Sequence, residues 1–551
     1  MKLTGSQIVT EVLIEQGVDT VFGYPGGTAL NVYDELYKYR KKIRHIITAH
    51  EQGAAHAADG YARATGKTGV VMSTSGPGAT NLVTGLATAW MDSIPVVAIC
   101  VNVPDSMIGR DAFQEISIVG VTMPITKHNF FVNDLEELAD TIREAFMIAA
   151  SGRKGPVLVD ITKDVTAAST EYKKIKPLPL RNADKIPQEK IKEIAAIVNE
   201  SERPLIYAGG GLISANACEE LKEFVNKVDI PIVHTLMSTG VIGEDEHDLG
   251  MAGMHGSISA NKAIDQADLI LALGARFSDR VALNTEKFAK RAKIVQVDID
   301  IAEINKNVIV DENCVGDVKA FLSDIIPMVK KAKRQEWKDK IAGWKAKERI
   351  HELKDDSLHP SQIMSILDEE AGTDTIYTTD VGQHQMWAAQ YLHHDKARKF
   401  ISSGGLGTMG FGYGAAIGAQ IARPKERVLH ITGDGSFHMN MNEACTVATN
   451  DLPIITVIIN NKVLGMVYQW QTFFYGKRYS STVLERKTDY VKVAEGFGLL
   501  GYRAETAEEF RTALKDALKK KKAAWIECVV DREEKVLPMI PGGGTLSDAI
   551  L

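Results

Sequence analysis

The stretch that most constrains this chain is residues 430–461. It runs from an apolar segment through Gly433, Asp434, Gly435, Ser436 and Phe437, then through an amphipathic segment, to a β-branched run ending at Asn460 and Asn461. The pattern predicts a buried strand over 428–432, a tight turn, a helix over roughly 441–450 and a second buried strand over 454–459. A run that is β-branched on both faces suits a central parallel strand. Gly433 and Gly435 let the backbone come close to a ligand. Asp434 and Asn461 then fall at carboxyl ends of strands in one sheet, where open α/β sheets bind ligands. An aspartate, an asparagine amide oxygen and a nearby backbone carbonyl make a hard oxygen site of the kind Mg²⁺ prefers, with its remaining ligands drawn from a diphosphate. Gly-Asp-Gly alone also reads as an ordinary strand-to-helix turn.

At 551 residues the chain has room for about three domains of ~150–200 residues each. A composition of 45% apolar and 25% charged residues is that of a soluble globular protein. The net charge of −7 gives no sign of nucleic-acid or membrane binding. The five cysteines are far apart and form no CxxC pair, which fits a reducing compartment and argues against disulfides or zinc. The chain opens on a capped amphipathic helix with no signal peptide, transit peptide or ~20-residue apolar span, so the expected location is cytoplasmic.

Helix and strand patterns alternate over residues 1–165, which predicts a doubly wound parallel sheet. A strand over 18–24 ends in Pro25, Gly26 and Gly27; another over 69–73 ends in Ser75, Gly76, Pro77 and Gly78. Between them, residues 50–63 form an Ala- and Gly-rich helix that must pack closely on a neighbour. Glu51 opens that helix, where a carboxylate gains from the helix dipole; on position alone it reads as a capping residue. A polar, Pro- and Lys-rich linker covers 166–186, and a second α/β pattern begins near Pro187. Its strand over 205–208 runs into Gly209, Gly210 and Gly211 without a GxGxxG, a weak nucleotide signal. The charged stretch 329–355 reads as a connecting helix with a solvated face, and a third α/β unit starts near His359. There Trp470 is expected on a polar loop beyond the candidate metal ligands.

Two levels of resemblance follow. Asn460 and Asn461 lie 26 and 27 residues beyond Asp434, a spacing that resembles the thiamine diphosphate (ThDP) binding motif. The segments YPGG, HEQG, SGPGATN, DAFQE, TKHN, GPVLVD, GDGSF and VLPMIPGGG, in that order, resemble the acetohydroxyacid (acetolactate) synthase catalytic subunit along nearly the whole chain. The resemblance implies three doubly wound parallel-sheet α/β domains: 1–170 for the cofactor's pyrimidine, 188–328 for FAD and 358–551 for its diphosphate and Mg²⁺. Three positions depart from the family pattern: Asn102 for Gln, Arg110 for Thr, and Met123 where many members carry Arg. All three are expected near the substrate and flavin channel.

The implied reaction decarboxylates pyruvate on ThDP. The hydroxyethyl unit then joins a second pyruvate, giving 2-acetolactate, or 2-oxobutyrate, giving 2-aceto-2-hydroxybutyrate, in branched-chain amino acid synthesis. By resemblance Glu51 hydrogen-bonds the aminopyrimidine, and Gln114, Lys163, Arg280 and Trp470 line the acceptor site. Asp434 and Asn461 by side chain, and Val463 by its carbonyl, hold Mg²⁺. Further ThDP contacts fall to Pro25, Gly26, Gly76, Gln383, His384, Gly407, Met409, Gly433, Gly435, Ser436 and Met466, with Met409 holding the two rings in a bent shape. FAD, structural with no net redox role, falls to Arg153, to Gly209, Gly210 and Gly211, and to Thr235, Leu236 and Met237. It also falls to Gly253, Met254 and His255, to Gly274, Arg276, Asp279 and Arg280, and to Asp298, Ile299, Gly316, Asp317 and Val318. The expected partners are 2-oxo acids, a second copy of the chain in a homodimer or homotetramer with sites at the dimer interface, and a small regulatory subunit. A flavin-dependent pyruvate oxidase, a FAD-free catabolic acetolactate synthase and a non-catalytic relative are the competing readings.

Overall fold

In the computed structural model, residues 1–181, 183, 185–348 and 357–551 are described. Two positions of the expected linker, 182 and 184, and residues 349–355 of the expected charged helix lie outside them; the described part of that stretch forms the helix Gln335–Lys345. Three six-stranded sheets carry the fold. The N-terminal sheet has the strand order Arg44–Ile47, Thr20–Gly23, Gly69–Thr74, Val96–Asn102, Val157–Thr162, His128–Val132, with all neighbours parallel. Its central strands Gly69–Thr74 and Val96–Asn102 are buried at every residue, as a parallel sheet covered on both faces requires. The C-terminal sheet runs Phe400–Ile401, Ile376–Thr379, Val428–Gly433, Ile455–Asn460, Ala524–Val529, Leu500–Ala504. The middle sheet runs Asp248–Met251, Ile232–His234, Pro204–Ala208, Leu269–Leu273, Lys293–Asp298, Glu312–Val315, again all parallel.

The chain packs as two units. One holds residues 1–182, 374–384 and 401–529, and so the N- and C-terminal sheets. The other holds residues 183–373, 385–400 and 530–551, with the middle sheet between two apolar cores. In the first unit a single core takes Phe22 and Leu158 from the N-terminal sheet and Val428, Ile458 and Trp525 from the C-terminal sheet.

Two small-residue helices meet in that core, Glu51–Thr65 and Phe411–Ala422. His50 caps the first by accepting from Gln52 N through Nδ1, and Gly66, at φ 76°, ends it in the left-handed conformation. The alanines and glycines between are there for close approach. A Cβ on Gly418 would lie 1.9 Å from the Ala57 carbonyl oxygen, and one on Gly60 2.3 Å from that of Ala415. Gly418→Ala is therefore expected to destabilise the protein by at least the ~1–3 kcal/mol typical of overpacking. An unchanged denaturant midpoint would show that the helices separate at no cost.

One local expectation fails. Trp470 lies on no loop but on the helix Gly465–Phe474, half-buried, with its ring 5.1 Å from that of Phe474. Packing overrides the weak helix propensity of this aromatic run: Tyr468 stacks on Tyr479 at 4.0 Å, and Gln469 is fully buried.

Candidate active site

Every parallel strand delivers its loop to the carboxyl edge of its sheet, so the candidate residues gather by topology. At the N-terminal sheet, Pro25 and Gly26 follow Thr20–Gly23, Glu51 follows Arg44–Ile47, Gly76 follows Gly69–Thr74 and Lys163 follows Val157–Thr162. The turn through Gly76 and Gly78 lies against Gln114 at one glycine and against Glu51 at the other. A Cβ on Gly76 would sit 2.9 Å from Gln114, and one on Gly78 would sit 3.2 Å from Glu51 Oε1. Asn81 Nδ2 donates to Glu51 Oε2 at 2.9 Å, and Glu51 as a residue is 9% exposed. Gln114 itself is held at φ 61°, in a loop whose amides at Arg110 and Ala112 donate to Glu115. Asn102 ties that loop to the sheet: its Nδ2 donates to Asp160 Oδ2 at 2.8 Å and to the Ile116 carbonyl at 3.3 Å. Burial pushes the Asp160 carboxyl up to about 7.

At the C-terminal sheet the cluster is tighter. Gln383 and His384 follow Ile376–Thr379, Gly433 closes its own strand, and Asn461 and Val463 follow Ile455–Asn460. Gln383 Oε1 accepts from Asn461 Nδ2, and its Nε2 donates to Gln469, each at 3.0 Å. Lys462 at φ 57° turns the chain back, so that the Val463 amide reaches Asn461 Oδ1 at 3.2 Å. Asp434 starts the short helix Asp434–Phe437; burial lifts its carboxyl to about 7, against the pull of the Arg486 charge and its local amides. His384 is held down to about 4 by burial, and its Nε2 has no hydrogen-bond partner among the described residues. Ser436 Oγ accepts from Gly410 N at 2.9 Å, which anchors the loop carrying Gly407 and Met409, and Met466 lies on the following helix.

In the middle sheet, Gly209, Thr235, Gly274, Ile299 and Gly316 all come directly after strands. A Cβ on Gly209 would lie 2.0 Å from the Gly274 carbonyl oxygen, and Gly210 lies against Met237. Gly253 backs onto Arg280, whose carbonyl accepts from Met254 N at 2.8 Å. Burial holds His255 down to about 4, while Asp279 and Arg280 are exposed. Asp298 ends its strand and accepts from Asp300 N at 3.0 Å; Asp317 caps the helix Val318–Ile325, whose Val318 is buried. Leu236 starts a short 3-10 turn, Gly211 lies in the helix Gly210–Ser214, and Arg276 is half-buried. Arg153 belongs to the other unit, where its Nε donates to Ser93 Oγ at 2.9 Å.

Sequence reasoning missed Glu443. It is fully buried, and its two oxygens accept from Ala49 N and His50 N, both at 3.1 Å. One carboxylate thus fixes the entry to the Glu51 helix from a segment nine residues past Asp434. A lone Glu in an amphipathic segment was the signal available.

The fold is that of a ThDP-dependent enzyme. Residues 3–121, 191–325 and 380–528 match the family models "Thiamine pyrophosphate enzyme, N-terminal TPP binding domain", "central domain" and "C-terminal TPP binding domain". The chain is 45% identical over 574 residues to the "Probable acetolactate synthase large subunit" of Methanocaldococcus jannaschii, covering 100% of this chain and 95% of that one. It is 44% identical over 566 residues to the "Acetolactate synthase" of Mycobacterium bovis, covering 100% and 91%. With the "Acetolactate synthase large subunit" of Porphyra purpurea it shares 43% over 559 residues, covering 98% and 94%. The chain belongs to the acetolactate synthase large-subunit family of ThDP-dependent enzymes.

Proposed function

We propose that this chain decarboxylates pyruvate and joins the two-carbon unit to a second pyruvate or to 2-oxobutyrate, releasing CO₂ and 2-acetolactate or 2-aceto-2-hydroxybutyrate. The observation that carries this reading is the presence, in one unit, of a buried Glu51 at one sheet's carboxyl edge and of Asp434 and the bonded Asn461 and Gln383 at the other's. Bound ThDP supplies the carbanion centre and electron sink. The residues fit it. Asp434 is a buried carboxylate raised by desolvation, a cost that Mg²⁺ offsets, with Asn461 and the Val463 carbonyl completing the protein ligands. His384, neutral and with an open Nε2, suits a diphosphate oxygen. Pro25, Gly26, Gly76, Gly407, Gly433, Gly435 and Met466 supply close backbone or apolar walls. Glu51 holds the proton that its ring partner shares, and Asn81 keeps the carboxylate aimed.

FAD fits the middle sheet, where Asp298 at a strand end suits a ribose hydroxyl and Arg276 a phosphate. The domains divide as 1–170, 188–328 and 358–551, one per sheet. Two copies complete the site, a reading supported by the apolar side chains left exposed around both edges, among them Tyr24, Phe113, Met123, Leu406 and Val467. The large-subunit names of the relatives support a small regulatory partner. Among the described residues no helix is long and apolar enough to cross a membrane.

Purified with ThDP, Mg²⁺ and FAD, the protein is expected to be yellow and to form acetolactate from pyruvate without oxygen uptake in proportion to product. Stoichiometric oxygen uptake with acetate or acetyl phosphate as product would favour an oxidase.

Acceptor choice gives a second measurement. One methylene in an apolar pocket discriminates by about 10–200-fold. With Trp470 beside the acceptor, Trp470→Leu lowers the preference for 2-oxobutyrate over pyruvate in a competition assay. Arg280→Lys keeps the charge but loses the planar fork, so it weakens both acceptors about equally. Gln114 and Lys163 line the same pocket. An unchanged product ratio in Trp470→Leu would put that indole outside it.

A further inference from the structure

The loop that carries Gly407 and Met409 is Gly-rich, with Gly404, Gly405 and Gly407 in four positions, and it needs outside anchors to hold one shape. The structure supplies them from the opposite sheet. Asp92, at the end of the helix Val83–Asp92, has a fully buried side chain. Its Oδ1 accepts from Gly405 N at 2.7 Å and its Oδ2 from Gly404 N at 3.1 Å. Arg63 Nη2 donates to the same Asp92 Oδ2 at 2.8 Å, and Arg63 Nη1 donates to the Ser402 carbonyl at 2.9 Å. Asp59 pairs with Arg63 from one turn away. Four residues before Asp92, the Thr88 hydroxyl meets that of Thr408 at 2.7 Å.

Among the described residues the ion pairs of this network join two buried carboxylates to one guanidinium. A buried charge is stable only when paired and hydrogen-bonded. Arg63 balances one carboxylate, and among the described residues the amides of Gly404 and Gly405 are the other donors to Asp92. The ion network is complete only with the loop docked, so the loop is tied to a cluster that is costly to open. Met409 then hangs between two fixed points. Thr408 is held by Thr88, and Gly410 donates to Ser436 and accepts from Asn440 Nδ2 at 3.1 Å.

We infer that Asp92, with Thr88, is a positioning residue: it sets the 402–409 loop and through it the placement of Met409 against the cofactor. The inference rests on the ThDP reading of Met409. A 1 Å misplacement costs roughly 10²-fold in rate, so Asp92→Asn, which cannot satisfy Arg63 and two amides together, should act through geometry. Two readouts on the full-length protein separate this from a general structural role. In cofactor-free protein, amide hydrogen exchange over 402–409 should quicken at least about tenfold in Asp92→Asn and, by less, in the near-isosteric Thr88→Val. With saturating Mg²⁺ and ThDP, deuterium exchange at the thiazolium carbon of the bound cofactor should slow by about 10–100-fold in Asp92→Asn and by less in Thr88→Val. ThDP affinity, set at the diphosphate end, should move less than about threefold. If Asp92→Asn does not fold, Thr88→Val decides. Wild-type loop protection in the variants overturns the inference, as does a loosened loop with normal thiazolium exchange. A wild-type protein that binds no ThDP overturns the cofactor reading itself, and a variant that behaves as an exchanging wild type overturns only the role of Asp92.

Discussion

Glu51→Gln is expected to bind ThDP and to lose turnover by roughly the 10²–10⁴-fold that a general acid–base group contributes. The geometry makes the substitution selective. Oε2 is taken by Asn81, while Gly78 leaves the Oε1 side bare of a Cβ. A glutamine can still accept from Asn81 and fill the same space, so the fold and the site's shape survive. It cannot take up and return a proton. The helix entry does not rely on this side chain either, because His50 caps it and Glu443 holds the amides of Ala49 and His50. Acetolactate formation near the wild-type rate by a folded variant would return Glu51 to the dipole-partner reading that its position alone suggests.

How much of this could be read beforehand follows from the range of the interactions. Short, mostly apolar strand runs ending in glycine, such as 428–433 and 204–209, signal parallel strands and their carboxyl-edge loops without tertiary information. The three sheets, and the fall of Asp434 and Asn461 just past the carboxyl ends of two strands, were therefore legible. Trp470 was not, because its helix is stabilised by the Tyr468–Tyr479 stack and the buried Gln469, neither visible in local pattern. The carboxylates that join the two sheets were equally hidden. Glu443 meets residues some four hundred positions away, and Asp92 meets a loop three hundred positions on. Each looks like an isolated acid in its own helix, and its partners across the two sheets come only with the packing of Glu51–Thr65 on Phe411–Ala422.

The second large effect is expected at the metal. Asp434→Ala should abolish measurable Mg²⁺–ThDP binding. Loss of a partner outside the ligand shell already costs about 10–100-fold in metal affinity, and a direct charged ligand stands above that range. Stability should respond in the opposite sense. Burial raises the Asp434 carboxyl to about 7 from its ordinary 3.8. An acid with a raised pKa in the folded state contributes stability that is full below about pH 4 and lost as the pH rises through about 7. At pH 8 without metal, the ionised Asp434 is therefore a burden, and its removal should leave the cofactor-free protein as stable as the wild type or more so. FAD binding should survive, because the flavin candidates other than Arg153 belong to the other packing unit. A titration of each cofactor beside a denaturant curve at pH 8 distinguishes the cases. Parallel loss of ThDP, flavin and stability would mean that Asp434 holds the fold rather than the metal.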